Sequence, residues 1–238
     1  MTPFAAPDEA VRDAGVLVTM LKDGPADREA FVAASSNLRH DAVWFQLGTV
    51  GAGAADALAT LARERGVAFY DAPVQGTRQP AEQGKLVVLA SGAPDRRAEA
   101  QAVFDAIGQR TIWVSDQPGA SSRLKLASNA FVFALTHGSA ESLAIAKALG
   151  VDPALVLEAV TGGPLDSGYF QAKAAAMLKG DFAANFSVDN AIKDTRLVED
   201  ALLDTGVRAD LVAAGLARFR RAADAGHGQD DSAASFLA

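Results

Sequence analysis

The sequence contains no cysteine, and this absence excludes several kinds of chemistry at once. Disulfide scaffolds, thiol nucleophiles and cysteine–metal sites all require that residue. The three histidines, His40, His137 and His227, form no cluster with the spacing of metal ligands, so we expect no metal site. Aromatic residues are also few, at 7% against 50% hydrophobic residues in total. The core must therefore be built largely from small aliphatic side chains.

Positive charge is scarce as well. The formal net charge is −7, from 22 Lys and Arg against 29 Asp and Glu. A chain of this charge does not attract nucleic acid or an anionic membrane surface, and no apolar run approaches the ~20 residues of a membrane span. The first ten residues lack the basic region and apolar run of a secretory signal. We therefore expect a cytoplasmic protein that binds neither nucleic acid nor membrane.

Short apolar runs alternate with helical patterns along the first half of the chain. VLVTML at residues 16–21 and AVWFQLGT at 42–49 are rich in β-branched or aromatic residues and predict buried parallel strands. Further strands are predicted at 67–74, 85–92 and 110–116. Helical patterns lie between them, one of them closed by Gly66. This alternation predicts an α/β domain over residues 1–117.

The alternation stops at Gln117–Gly119, and no credible strand follows. Residues from Ala120 to about Leu149 predict one long helix. Four more helices are predicted at 152–160, 168–178, 188–204 and 208–225. The chain is therefore divided into an α/β domain, residues 1–117, and an all-α domain, residues 118–238.

The long helix carries a lysine and an asparagine inside an otherwise apolar run, SRLKLASNAF. Lys125 and Asn129 are four residues apart and therefore share one face of the helix. An unpaired buried ammonium is costly, so the lysine needs a partner or a wet cleft. The alternative is that it reaches solvent near the start of the helix. Its place just after the domain junction favours a functional role, because clefts form at junctions.

The stretch GASSRLKLASN at residues 119–129 resembles the catalytic helix of the β-hydroxyacid dehydrogenase family. This family includes 3-hydroxyisobutyrate dehydrogenases and glyoxylate/succinic semialdehyde reductases and belongs to the 6-phosphogluconate dehydrogenase superfamily. Three more stretches are similar to family motifs and occur in the family's order. They are DAPVQGTRQPAEQGKLVVLASG at 71–92, FSVDNAIKDTRL at 186–197 and GHGQDD at 226–231. The resemblance covers nearly the whole chain. It implies a Rossmann-type sheet, NADP or NAD as cofactor, a small-molecule substrate and a homodimer formed through the all-α domain.

The resemblance also assigns roles on the substrate side. Lys125 would be the general acid/base, and Asn129 would hold the substrate or orient the lysine. The loop Gln75–Gly76–Thr77 would bind the substrate carboxylate through backbone N–H groups and the Thr77 hydroxyl. An ordinary strand-to-helix turn is the alternative for this loop.

On the cofactor side, the resemblance assigns residues at the ends of two strands and one lysine. Met20 and Leu21 end the first strand and would pack against the cofactor; plain core is the alternative. Thr49 ends the second strand and would contact the nicotinamide ribose. Lys193 would lie across the nicotinamide end, and its alternative is a helix-surface lysine paired with Asp189 or Asp194.

One family feature is missing from the sequence. No G-x-G-x-x-G turn, which would hold the cofactor pyrophosphate, is present. GTVGAG at residues 48–53 is a near miss, but it aligns with the family's later Asp-x-Ser-Thr-x-x-Pro loop, of which only Thr49 is retained. The sequence thus resembles a family member from about two β–α units into its Rossmann domain. We expect a truncation or a misplaced start, and an exposed first edge of the sheet.

Three hypotheses follow from these residues. The first is an NAD(P)-dependent oxidoreductase acting on a small β-hydroxyacid or aldehyde acid. The second is a non-catalytic dimerisation or binding module that keeps the fold without the nucleotide site. The third is an imine reductase, since relatives of this architecture reduce C=N bonds, but Lys125 argues against it because that position is usually another residue there.

Overall fold

The computed structural model describes residues 2–238, which form two compact units. One reaches to Leu126 and the other starts at Ala127. This division falls inside a helix, whereas the sequence places a domain boundary between residues 117 and 118. The domain limits stay a prediction.

The first unit is a six-stranded sheet with helices. Its elements are α1 (Pro7–Ala10), β1 (Val16–Thr19), α2 (Gly24–Ala34), β2 (Val43–Gln46), α3 (Ala52–Glu64), β3 (Ala68–Asp71), β4 (Val74–Gln75), α4 (Arg78–Glu82), β5 (Leu86–Gly92), α5 (Arg97–Ile107) and β6 (Gly108–Ser115). The long helix α6 (Ala120–Ala148) begins in this unit. The Rossmann-type α/β architecture expected from the sequence is confirmed, and the structure adds the short elements α1, β4 and α4.

The sheet is mixed rather than wholly parallel. Strands β1, β2 and β3 are parallel neighbours, β5 runs antiparallel to β3, and β6 is parallel to β5. The reason lies in the connection from β3 to β5, residues 72–85, which holds only β4 and the five-residue helix α4. A parallel return usually needs a full helix as its crossover, and the five residues of α4 form little more than one turn. The chain instead turns back through β4, which pairs antiparallel with β5.

The core of the first unit lies on both faces of the sheet. Trp44 and Phe45 are neighbours on β2 and point to opposite faces, as the period of a strand requires. Trp44 stacks on Phe31 of α2 at 4.0 Å between ring centroids, and its indole N–H donates to the Thr19 hydroxyl at 2.9 Å. Phe45 packs edge-on against Phe104 of α5. Helices α2 and α5 therefore cover the two faces with different aromatic clusters.

Strand β1 forms one edge of the sheet, as the sequence predicts. It ends the strand order, and within residues 2–238 no strand pairs with its outer side. Val16 and Val18 are each 46% exposed. A strand of this kind leaves backbone N–H and C=O groups unpaired along its edge.

The second unit is helical. Besides the rest of α6 it contains α7 (Ala154–Val160), α8 (Gly168–Lys179), α9 (Val188–Leu202) and α10 (Asp210–Ala222), followed by a π turn (Ala223–His227) and a 3-10 helix (Ser232–Leu237). An isolated β-bridge, Ser187 to Asp231, is the extent of strand pairing among its described residues. The predicted all-α character is confirmed. Nowhere in residues 2–238 is a helix both long and apolar enough to cross a membrane.

Asp231, in the last of the four sequence motifs, joins three segments of the second unit. Its Oδ2 accepts the backbone N–H groups of Asn185 and Phe186 at 3.1 and 3.2 Å, just ahead of α9. Its Oδ1 pairs with the ammonium of Lys173 on α8. Burial raises the pKa of this carboxyl, but the Lys173 ammonium and the backbone N–H groups that it accepts together leave the pKa below its usual value. The motif therefore has a structural role.

His137 is a half-buried titratable side chain on α6. Its Nδ1 lies 2.8 Å from the Ser235 hydroxyl, and its ring packs on Phe219 with 4.2 Å between centroids. A Cβ on Gly215 would come within 2.8 Å of the ring, so α10 approaches it closely. Burial first, then the nearby guanidinium of Arg218, lowers the pKa of His137 to about 4.

This shift predicts a loss of stability in mild acid. The unfolded imidazole takes up a proton below pH 6.5, whereas the folded one stays neutral until about 4. The stabilising contribution is therefore complete above pH 6.5 and is lost as the pH falls toward 4. Between pH 7 and 5 we expect His137 to account for about 2 kcal/mol of lost stability. Urea unfolding at both pH values, for the wild type and His137→Asn, measures this. A variant that loses as much stability as the wild type would contradict it.

Candidate active site

The predicted cofactor residues of the first unit lie at one edge of its sheet. Met20 and Leu21 directly follow β1 and are 60% and 41% exposed. Thr49 follows β2 and is half-buried. Because β1 and β2 are parallel, the chain leaves both strands at the same edge, which is where α/β sheets bind ligands. Plain core, the alternative for Met20 and Leu21, does not fit their exposure.

The turn after β2 packs closely against the end of β1. A Cβ on Gly48 would lie 2.9 Å from the backbone oxygen of Leu21. Gln46, the last residue of β2, is fully buried and donates to Asp27 Oδ2 at 3.0 Å and to the Gly48 oxygen at 3.1 Å. These hydrogen bonds of the Gln46 side chain therefore stabilise the turn on its buried side. Gly51, with a φ of +85°, then begins α3 without a side-chain cap.

These residues fit one end of a nicotinamide dinucleotide. The exposed apolar side chains of Met20 and Leu21 suit the face of a flat ring, and the Thr49 hydroxyl suits a sugar. The chain has no glycine-rich turn of the kind that holds a pyrophosphate. The fit of the residues present therefore extends to the nicotinamide end.

The predicted substrate loop is a turn from β4 into α4. Gly76 has a φ of +120°, and a Cβ there would lie 2.8 Å from Leu86, so only glycine fits. Thr77 is exposed and occupies the N-cap position of α4 without a side-chain hydrogen bond to that helix. Gln75 is half-buried on β4. The loop therefore has the form of an ordinary strand-to-helix turn, which is the alternative given above for these residues. Its role in binding substrate stays a prediction.

The start of α6 is held by side chains from the sheet. Asp71, the last residue of β3, is fully buried and accepts the Ser122 N–H at 2.8 Å and the Ser122 hydroxyl at 2.7 Å. The Ser121 N–H donates to the Ser91 hydroxyl at 3.2 Å. Lys125, half-buried, follows Ser122 by three residues on the same helix. In the sequence, Asp71 and Ser91 appear only as part of a motif, because nothing local links either residue to α6.

The second unit brings two predicted site residues together through a third. Asn129 is buried on α6, and its amide N–H donates to Asp194 Oδ2 on α9 at 2.9 Å. Lys193 Nζ lies 2.7 Å from Asp194 Oδ1. The pairing of Lys193 with Asp194 matches the alternative stated for this lysine. Asp194 is the site residue that sequence reasoning left unassigned, although the adjacent Lys–Asp pair was its signal.

Metal chemistry has no candidate site in the described part of the chain. Residues 2–238 contain no group of three His, Asp or Glu side chains placed to hold a metal ion.

Two family models together match nearly all of the sequence. Residues 119–237 match the family described as NAD-binding of NADP-dependent 3-hydroxyisobutyrate dehydrogenase. Residues 1–115 match the NAD binding domain of 6-phosphogluconate dehydrogenase. The two matches meet close to the start of α6.

Curated relatives and solved structures agree with these matches. L-threonate dehydrogenase of Cupriavidus necator is 30% identical over 78% of this chain and 63% of its own length. The 3-sulfolactaldehyde reductase of Escherichia coli is 29% identical over 97% of this chain and 78% of its own length. The chain thus spans about two thirds to four fifths of these relatives.

Among solved structures, 3-hydroxyisobutyrate dehydrogenase from Salmonella typhimurium matches 98% of this chain and 82% of its own, with 25% identity and a TM-score of 0.90. An imine reductase from Myxococcus stipitatus in complex with NADP+ matches with 20% identity and a TM-score of 0.63, over 99% of this chain and 84% of its own. At that identity the second match shows a shared fold.

Removing the Asp194 carboxylate should destabilise the second unit. Asp194→Ala takes away the acceptor of the Asn129 amide and the partner of the Lys193 ammonium, so we expect a loss of about 3 kcal/mol. Urea unfolding followed by circular dichroism measures it. Asp189→Ala is the matched control, since Asp189 lies on the first turn of the same helix, exposed, and accepts from Gln229. Its loss should stay below about 1 kcal/mol, and equal losses in the two variants would refute the argument.

Proposed function

We propose that this chain, which belongs to the β-hydroxyacid dehydrogenase family, transfers hydride between NAD(P) and a small β-hydroxyacid or aldehyde acid. The observation that carries the proposal is helix α6. Lys125 and Asn129 lie four residues apart on it, and the amide of Asn129 is fixed by a buried carboxylate. The relatives described above are dehydrogenases and reductases with substrates such as L-threonate and 3-sulfolactaldehyde.

Lys125 is the general acid in the direction of reduction. The nicotinamide, when bound, supplies a hydride to the carbonyl carbon of the substrate. As that bond forms, negative charge develops on the carbonyl oxygen, and the Lys125 ammonium gives it a proton. In the direction of oxidation the neutral amine takes the hydroxyl proton. No further acid is needed, because one hydride and one proton convert the carbonyl to the alcohol.

Asn129 orients the substrate relative to the Lys125 amine. One N–H of its amide is committed to Asp194 Oδ2, which fixes the direction of the whole planar group. We assign its carbonyl oxygen as the acceptor for a substrate hydroxyl. A fixed acceptor one turn from the lysine can orient a substrate hydroxyl without an entropy cost during the reaction.

The other assigned residues complete the proposal. Gln75, Gly76 and Thr77 bind the substrate's acid group through backbone N–H groups and the exposed Thr77 hydroxyl. Met20, Leu21 and Thr49 contact the nicotinamide end of the cofactor, and Lys193 lies across it. Support comes from the exposure of Met20 and Leu21 at the carboxyl edge of the sheet.

Two other functions remain as alternatives. A binding module without catalysis would explain the missing glycine turn, and it predicts that neither nucleotide binds. Imine reduction is favoured by the shared fold of imine reductases. Lys125 favours the carbonyl substrate over the imine, because an ammonium is suited to protonate an alkoxide oxygen.

Nucleotide binding and turnover test the proposal directly. NADPH and then NADH are titrated into the 238-residue chain while tryptophan fluorescence is followed, because Trp44 lies on the strand that leads to Thr49. We expect saturable binding that Lys193→Ala weakens. Reduction of glyoxylate and succinic semialdehyde should fall at least about 100-fold in Lys125→Ala, which is the lower end of the range for general acid catalysis.

The control is Lys147→Ala, which removes an exposed lysine from the last turn of the same helix. It should keep wild-type binding and turnover. Absence of binding by both nucleotides would sink the enzyme proposal for this chain and favour the binding module. Turnover of a cyclic imine, but of neither aldehyde acid, would favour imine reduction.

We also propose a cytoplasmic homodimer. Helix α6 supports it with an exposed apolar stripe: Leu124, Phe131 and Ile145 recur at multiples of seven residues, and Leu149 lies on the same face. Phe131 is 66% and Leu149 75% exposed. Side chains of this size on one face of a central helix are typical of an interface. The cytoplasm fits a chain without cysteine, which needs no oxidising compartment.

Light scattering coupled to size exclusion tests the dimer. We expect twice the chain mass of 24.5 kDa. A double variant, Phe131→Glu with Leu149→Glu, should run as a monomer because it places charge in the stripe. Leu203→Glu, at an exposed position after α9, should leave the dimer intact. A monomeric wild type would exclude this interface.

A further inference from the structure

The start of α6 cannot be capped by its own N-cap residue. The first amides of any helix lack partners within the helix and need acceptors from elsewhere. The residue before α6 is Gly119, which has no side chain and a φ of +93°. This φ is strained for a residue with a side chain, and a Cβ there would also lie 2.4 Å from Asp56 Oδ1, so a capping serine or aspartate is disfavoured at this position. The acceptors must come from another part of the chain.

Two paired strand residues supply them. Asp71 and Ser91 lie opposite each other in the antiparallel register of β3 and β5. Asp71 takes both the N–H and the hydroxyl of Ser122, and Ser91 takes the N–H of Ser121. The Ser91 hydroxyl in turn donates to Asp71 Oδ2 at 3.4 Å. All four residues are at least 98% buried.

A buried carboxylate is a costly way to cap a helix, because the charge must be removed from water. Burial raises the pKa of Asp71, and the hydrogen bonds from Ser122 only oppose that shift. A solvent-exposed serine or asparagine stabilises an ordinary helix start without burying a charge. The use of a buried carboxylate from a residue 51 positions away indicates that the location of the first turn matters more than its stability.

The same carboxylate fixes two predicted parts of the site within the first unit. Lys125 follows Ser122 by three residues, about one helical turn. Gln75 follows Asp71 by four residues, on the short strand β4 that comes after β3 and leads into the predicted substrate loop. The two hydrogen bonds from Ser122 therefore join the segment that carries the acid to the segment that carries the loop.

We propose that Asp71 and Ser91 are positioning residues for Lys125, holding its ammonium at a set distance from the loop Gln75–Thr77. The proposal rests on the proposed function, in which Lys125 is the proton donor. A misplacement of about 1 Å can cost on the order of 100-fold in rate while leaving binding nearly unchanged. A positioning role therefore predicts a fall in kcat with little change in KM, which a merely structural cap does not.

The experiment compares variants that loosen the cap to different extents. Ser122→Ala removes one hydrogen bond from Asp71, and Asp71→Ala removes the whole acceptor. We expect kcat for an aldehyde acid to fall about tenfold in the first variant and more in the second, with KM and the nucleotide Kd within about twofold. Ser122→Thr keeps the hydroxyl and should restore most of kcat.

The matched control is Asp56→Ala. It removes an ion pair with Arg123, which also holds the first turn of α6 but is half-exposed on both sides. Exposed pairs contribute little, so kcat should change less than about twofold.

A second readout does not depend on turnover. Competitive acetylation, read by mass spectrometry, compares the Lys125 amine with Lys22 and Lys85 in one sample. A loosened first turn should raise the relative rate at Lys125 about threefold in Ser122→Ala and leave it unchanged in Asp56→Ala. If the wild type turns over no substrate, the proposed function fails while this measurement still decides the positioning role.

Two results would overturn the proposal. One is unchanged kcat and unchanged Lys125 acetylation in both Ser122→Ala and Asp71→Ala. The other is an equal response in Asp56→Ala, which would mean that any contact at this helix end has the same effect. If Asp71→Ala does not fold, Ser122→Ala with its threonine rescue decides the question.

Discussion

The buried carboxylate of Asp71 is the interaction on which the first unit's part of the candidate site depends. A helix is stiff, so the position of its first turn sets the position of every side chain that follows nearby. Gly119 leaves the helix without a cap of its own, and the acceptors come from the ends of two strands. The position of Lys125 is therefore determined by the strand residues that hold the first turn of its helix. A helix held only by apolar packing could shift by a fraction of a turn at small cost, and the proton-donor role that we propose for Lys125 would not tolerate such a shift.

The sequence predicts the elements of this fold well and their directions poorly. Apolar runs such as the one at 42–49 report burial, and burial is the same for a parallel and an antiparallel strand. The reversal at β5 depends on the short connection through β4, where two residues pair. No periodicity is detectable over two residues. The helix α6 was predicted nearly to its ends, because 29 residues of helical spacing leave little ambiguity.

For the candidate site as well, the sequence predicts what depends on neighbouring residues and misses what depends on distant ones. Lys125 and Asn129 are four residues apart, so a spacing rule finds their common face. Their anchoring partners are distant in sequence: Asp71 lies 51 residues before Ser122, and Asp194 lies 65 residues after Asn129. Contacts of this length follow from tertiary packing alone. The motifs quoted from the sequence contain both carboxylates, but only the structure shows what each one holds.

Each unit, taken by itself, fixes its own part of α6 with a buried carboxylate. In the first unit Asp71 accepts a hydrogen bond from the Ser122 hydroxyl, and in the second unit Asp194 accepts one from the Asn129 amide. Stability alone does not explain this choice, since apolar side chains of similar volume stabilise a helix contact at lower desolvation cost. What a carboxylate adds is direction, because its oxygens accept hydrogen bonds at defined angles and so fix rotation as well as distance. Within the first unit, Lys125 follows the residue held by Asp71 by about one helical turn, and this supports the proposal that the buried carboxylate orients the amine.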